Sequence, residues 1–232
     1  MLVAAASCPA PPLLDRPLTG TDPVLPQLRQ ACLAAVAALV ASEPAVIAVV
    51  GVAGQRLIWD PALRLDRGAF APALAGRAGS GDGLPVPLGL AGLLLDQAAY
   101  GGRRELQSVT QDDSAAECAA LGARIAAQHD RVALLVMADG SARRTLKAPG
   151  YLDERSAPFD AQIETAIRAG DLAALLQLDA SLARELLASG RPAWQVLAGA
   201  AHGLRADCEI GYCDDPFGVW YLVASVRCSA LS

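Results

Sequence analysis

The sequence predicts an α/β fold, with a single domain over 1–232 built on a central, partly parallel sheet flanked by helices. Three observations lead there. Short continuous apolar runs at Leu2–Ser7, Ala45–Val50 and Val132–Met137 read as buried strands. Between them, apolar residues recur at three- and four-residue spacing, one face of an amphipathic helix. Strands and helices alternate through the first 140 residues, the order expected of parallel neighbours in one sheet. No internal repeat and no linker divides the chain.

Each element has its own signal. Leu2–Ser7 opens the sheet, and the prolines between Pro9 and Pro12 turn the chain. A helix begins near Leu25, with Leu28, Cys32, Val36 and Leu39 on the same face. Ala45–Val50 is the second buried strand. Residues 51–86 are rich in Gly, Ala and Pro, hold a short strand at Arg56–Trp59, and read as a functional rim loop. Pro87–Tyr100 is a buried helix stopped by Gly101 and Gly102, and Arg104–Val109 is a strand. Ser114 and Glu117 have capping-box spacing and open a helix with Cys118, Leu121 and Ile125 on its inner face. Val132–Met137 follows as a strand, then a loop at 139–158 and three helices. Gly170 closes the first helix, Asp171 caps the second, Gly190 closes the second, and Pro192 fits the first turn of the third. A Gly/Asp/Pro turn at 211–217 leads into a last apolar strand, Val219–Val226.

Composition excludes several function classes. The 232 residues are 53% hydrophobic and 19% charged, which suits a packed core rather than a disordered chain. A net charge of -5 gives no electrostatic footprint for nucleic acid. Arg143, Arg144 and Lys147 are the best local cluster of cations, and they read as a solvated loop. Aromatics at 4% leave no stacking platform for bases. The six cysteines form no CxxC and read as reduced thiols of a cytoplasmic protein. Cys208 and Cys213 lack a second pair of ligands for a metal. The Leu2–Ser7 run has no basic flank, is shorter than the roughly 7–15 residues of a signal core, and reads better as a strand. Arg29, Gln30, Ser42, Gly89, Gly92 and Asp96 interrupt the apolar helices, so no membrane span is expected.

The segment 139–160, DGSARRTLKAPGYLDERSAPFD, carries the most potential chemistry. It follows the end of a central strand, where open α/β sheets place their ligands. Asp139, Ser141, Arg143, Tyr151 and Asp153 are the candidate residues for orienting a small polar ligand. An ordinary turn, with Asp139 and Ser141 bonding their own backbone, explains the composition equally well. Ser141 stands outside a Gly-x-Ser-x-Gly elbow and has no His to activate it. Gly51 and Gly54 follow a strand, but a strand at Arg56 replaces the helix that a dinucleotide loop requires. The glycines at 76, 79, 81 and 83 lack the Gly-Lys-Ser/Thr ending of a phosphate loop. Asp214 and Asp215 before Pro216 have the composition of a turn.

VALLVMADGSARR, with Phe159-Asp160 and Gly170-Asp171 downstream, resembles the class III extradiol ring-cleavage dioxygenases, specifically their catalytic chain. Cys8-Pro9-Ala10-Pro11-Pro12 is similar to the family's opening His-Pro-Pro turn. Ile47–Val50 with Gly51-Val52-Ala53-Gly54 looks like its second strand and loop, and GYCDDPFGVWYLVASV like its closing turn and strand. The resemblance runs the length of the chain. It implies a class III extradiol dioxygenase-like domain, an Fe(II) held by two His and a Glu, and a further His acting on the catechol proton. The sequence departs from that pattern at each His. Ala10 stands at the first iron ligand, no His follows within 51–54, and Ala142 stands at the acid/base position.

Non-haem iron of this kind needs two His and a carboxylate on one face. His129 and His202 are the only histidines. His129 precedes the Val132 strand, and the candidate site lies about 26 Å away beyond its other end, at ~3.3 Å per residue. His202 ends a helix beside Gly203, where a helix-end role is usual. The expectation is a dioxygenase-like protein with no iron, no other cofactor and no ring cleavage, retaining a small-molecule pocket. Two alternatives stand beside it. One is an accessory or interaction protein, as a homo-oligomer or paired with an active enzyme. The other is an enzyme with different, metal-free chemistry at Asp139, Ser141 and Arg143.

Overall fold

Seven strands hydrogen-bond into one mixed sheet in the computed structural model, which describes residues 1–19, 25–67 and 83–231. In chain order the elements are β1 (Leu2–Cys8), α1 (Arg16–Thr19), α2 (Pro26–Ala41), β2 (Val46–Val52), β3 (Ile58–Trp59), α3 (Val86–Gln97), β4 (Arg103–Val109), α4 (Ala115–Ala127), β5 (Val132–Met137), α5 (Ser156–Ala169), α6 (Ala180–Glu185), α7 (Arg191–Ala200), β6 (Leu204–Asp214) and β7 (Tyr221–Ala230). The strand order is β3-β4-β2-β5-β1-β7-β6. β4, β2, β5 and β1 run parallel, while β3, β7 and β6 each pair antiparallel. The expected single α/β domain with a partly parallel sheet is the fold observed.

β5 lies at the centre, and all six of its residues are buried. Helices cover both faces there, so the strand needs no polar side and VALLVM can be continuously apolar. Val132, Leu134 and Val136 point into a core with α4, α5 and α7. Ala133, Leu135 and Met137 point into a second core with α2 and α3. The alternation is the two-residue period of any strand.

α7 is buried along all ten residues. It crosses α4 at two glycines. A Cβ at Gly122 would sit 2.0 Å from the Val196 carbonyl oxygen, and one at Gly199 would sit 2.2 Å from that of Ala119. The two helix backbones therefore touch. At the start of α4 the capping box is complete: Ser114 Oγ accepts from Glu117 N–H, and Glu117 accepts from Ser114 N–H.

Three features differ from the sequence reading. An eleven-residue strand, β6, occupies Leu204–Asp214, so the turn before the last strand begins at Asp215 rather than at 211. α3 ends at Gln97, because Ala99 takes a left-handed φ of 55° and lets Tyr100 N–H reach the Leu95 carbonyl. Tyr100 is buried and donates its hydroxyl to the Arg103 carbonyl, which supports that bend. The second downstream helix splits into a 3-10 turn, Leu172–Gln177, and the short α6. Leu187, with φ 57°, closes α6, and Ala188 N–H bonds the Ala183 carbonyl. Gly190 instead caps the start of α7. The glycines at 76, 79 and 81 lie outside the described residues.

Gly122→Ala or Gly199→Ala should lower unfolding free energy by about 1–3 kcal/mol, because a methyl group there meets backbone that cannot rotate away. Urea denaturation checks this, and a midpoint equal to wild type would contradict the close crossing.

Candidate functional site

The four parallel strands end on one edge of the sheet, and the loops after them build the candidate site. Ala138 N–H donates to the Cys8 carbonyl at 2.8 Å, which holds the loops after β5 and β1 together. Asp139 Oδ1 then accepts from Ala10 N–H at 2.8 Å. The Asp139 carbonyl accepts from Gly190 N–H at 2.7 Å and brings the start of α7 to the same edge. Burial pushes the Asp139 carboxyl up to about 6, against the opposing pull of the Ala10 N–H. Tyr221 is raised well above its ordinary value, by burial first and then by the charges of Asp139 and Tyr212.

Ser141 faces inward. Its N–H donates to Asp160 Oδ1 at 2.9 Å and its hydroxyl donates to Oδ2 at 2.5 Å. Both residues are fully buried. Burial pushes the Asp160 carboxyl up to about 6, opposed by the two Ser141 bonds and by Arg144. Arg144 lies 3.8 Å from Asp160 and bonds Asp215 at 2.7 Å. Gly140 is required here, since a Cβ would come within 2.3 Å of the Trp220 ring. Gly140 N–H donates to the Trp220 carbonyl, and Trp220 N–H donates to that of Ser141.

The remaining candidates form a separate, outward group. Arg143 lies 3.6 Å from Asp153, but Asp153 bonds Arg155 more closely, at 2.7 Å. Arg155 also holds Glu185 at 2.8 Å. The Arg155 bonds keep the Asp153 carboxyl down at about 2. Tyr151 is 75% exposed. So Arg143 and Asp153 come together, Asp139 and Ser141 lock neighbouring elements, and Tyr151 faces solvent. The bonds of Asp139 and Ser141 run to Ala10 and Asp160, not to their own turn as in the ordinary-turn reading.

Two residues important to this edge had only indirect signals. Asp160 falls in the buried stripe of α5 with Phe159, Ile163 and Ile167, an unusual place for a lone acid. Trp59 lines an open recess of about 560 Å³ at the end of β2, together with Val52, Ala53, Gly54, Pro85 and Pro87. Its indole N–H donates to buried Ser108 Oγ at 2.8 Å, which fixes the ring in the wall.

His129 lies at the opposite edge, where Nε2 stands 3.2 Å from Glu105. His202 is exposed beyond the end of α7. Among the described residues, no three His, Cys, Asp or Glu side chains converge as a metal-holding group. No helix of the described residues is long and apolar enough to cross a membrane.

Neither a scan against protein-family models nor a search of curated proteins gives a match. Among solved structures, the chain is similar to the crystal structure of the uncharacterized protein JW3007 from Escherichia coli K12. Identity is 13% and the TM-score 0.56, covering 97% of this chain and 99% of that one. The two chains share a fold.

Asp139 and Asp160 hold their protons more tightly folded than unfolded, where an Asp titrates near ~3.9. Their stabilising contribution is complete below about pH 4 and is lost as pH rises through about 6. The stability of wild type relative to the variant D139N/D160N should therefore fall between about pH 4 and 7. Urea midpoints across that range measure it, and a constant difference would rule out the raised carboxyls.

Proposed function

We propose that this chain is a class III extradiol dioxygenase-like protein that has lost its iron centre and ring cleavage and keeps a recess for a small planar ligand. The supporting observation is the set of side chains at the three positions where the resemblance asks for His. Ala10 is buried, with its N–H held by Asp139. Ala142 gives its N–H to the Leu186 carbonyl. The loop after β2 presents Ala53 and Gly54. None of these supplies a nitrogen to a metal, and His129 stands at the other edge beside Glu105. Fe(II) bound by two imidazoles and a carboxylate does not fit these residues. Metal-free chemistry on Ser141 has little support, because its hydroxyl is buried and committed to Asp160.

The recess offers one aromatic ring, two prolines, small aliphatic groups and the polar side chain of Gln55, a wall suited to a flat ligand with a polar edge. Trp194 and Trp220 are buried, so Trp59 is the indole whose surroundings such a ligand would change.

Protein incubated anaerobically with Fe(II) and desalted should retain substoichiometric iron and leave a catechol uncleaved. Stoichiometric iron with ring-cleavage product would overturn the loss of the iron centre. Catechol itself should quench tryptophan fluorescence in the millimolar range, and W59F should remove that change. If wild type and W59F respond alike, the recess is not the binding place.

A further inference from the structure

Nine large apolar side chains are exposed among the described residues, and five of them meet on one surface: Leu146, Tyr151, Leu152, Leu187 and Phe217. Loops at the site edge of the sheet bring them together. Two consecutive turns present Leu146 and Tyr151. Ala148 N–H closes the first on the Thr145 carbonyl, and Tyr151 N–H closes the second on that of Ala148. The turn that carries Phe217 packs against them, since a Cβ at Gly218 would lie 2.6 Å from both Ala148 and Thr145. Leu187 joins from the end of α6. A Cβ at Gly150 would lie 2.7 Å from its side chain, and Ala142 N–H donates to the Leu186 carbonyl. Exposed apolar groups gathered in this way mark interaction surfaces, whereas scattered ones need no cause.

Tyr151 and Leu187 point most directly to a role outside the fold. Tyr151 has φ 59° and Leu187 φ 57°, the left-handed region where a bulky side chain costs stability and glycine does not. Yet Tyr151 is 75% exposed and Leu187 48%. Neither side chain offsets that cost by full burial in its own chain, and strain of this kind concentrates at binding surfaces.

The five side chains are between 46% and 76% exposed. At about 150–250 Å² for a whole large side chain, they offer roughly 500 Å² of apolar surface. An ordinary interface takes about 800 Å² from each partner, somewhat more than half of it apolar. The ion pairs of Arg143, Asp153, Arg155 and Glu185 beside the patch supply a polar rim. Lys147, Glu154 and Asp214 are exposed here and make no ion pair among the described residues. A nucleic acid or an anionic membrane would find one unpaired cation on this surface. A second copy of the chain offers Lys147 an acid and meets the apolar centre with its like.

We propose that this surface is the interface of a two-fold dimer, in which Tyr151 and Leu187 pack against the same patch of a second copy and Lys147 faces an acid of that copy. Arg143, Tyr151 and Asp153 then serve association rather than a small ligand. The dimer does not rest on the reading of the recess at Trp59.

Size-exclusion chromatography with light scattering on the full chain tests it. Wild type at tens of micromolar should run at twice the 23.8 kDa chain mass. L146D and Y151G should each raise the dimer dissociation constant about tenfold or more. Y151G should do so with a urea midpoint, measured on dilute monomer, no lower than that of wild type, because glycine suits this backbone conformation. K147E should raise the constant about threefold or more. L231D puts the same charge on an exposed leucine at the opposite edge and should leave the dimer intact. Far-UV circular dichroism confirms folding of each variant. A monomeric wild type overturns the proposal, and if that monomer sediments with phosphatidylserine vesicles the patch belongs to a membrane instead. Dimers of L146D, Y151G or K147E as tight as wild type overturn it too, as does an L231D dimer weakened as much as L146D.

Discussion

The Asp160 carboxylate holds the edge of the sheet on which the candidate site lies. It sits on the buried side of α5 and takes both hydrogen bonds that Ser141 can donate to it. That fixes the turn after β5, and the same turn exchanges backbone bonds with Trp220 just before β7. Removing a carboxylate from water costs several kcal/mol unless its oxygens find donors. Ser141 and the nearby Arg144 supply part of that compensation, and burial outweighs them. The position of Asp139, and through it of Ala10, follows from the same turn.

Two environments within the segment 139–160 produce opposite carboxylates. Asp160 and Asp139 are held away from water and keep their protons up to about pH 6. Asp153, between them in sequence, faces two guanidinium groups and stays ionised down to about pH 2. Composition alone places all three in the same polar stretch. Their surroundings separate an internal fastening from a solvated ion-pair network.

Much of the fold was legible because the physics behind it is local. Val132–Met137 had the same bounds in sequence and structure, since a strand covered on both faces is continuously apolar. Ser114 and Glu117 carried their capping box openly. β6 was less legible: its period of two is present, but Ala206, Asp207 and Glu209 are weak strand formers and dilute it. Helix ends assigned to Gly101 and Gly190 fall instead at Ala99 and Leu187, where packing of buried neighbours offsets an unfavourable backbone conformation. The candidate site was legible as a place rather than as a set of side-chain directions. The partner of Ser141 is nineteen residues away, and the partner of Asp139 is on another strand's loop.

β1 pairs with β5 on one side and with β7 on the other. Ala5 lies opposite Val226, about 220 residues later in the chain. At a synthesis rate of roughly 5–20 residues per second, one side of this apolar strand stays open for on the order of 10–40 s. During that interval its backbone donors and acceptors can pair with any passing strand. The period of greatest aggregation risk is therefore set by how quickly the ribosome reaches β7, whatever the stability of the finished protein.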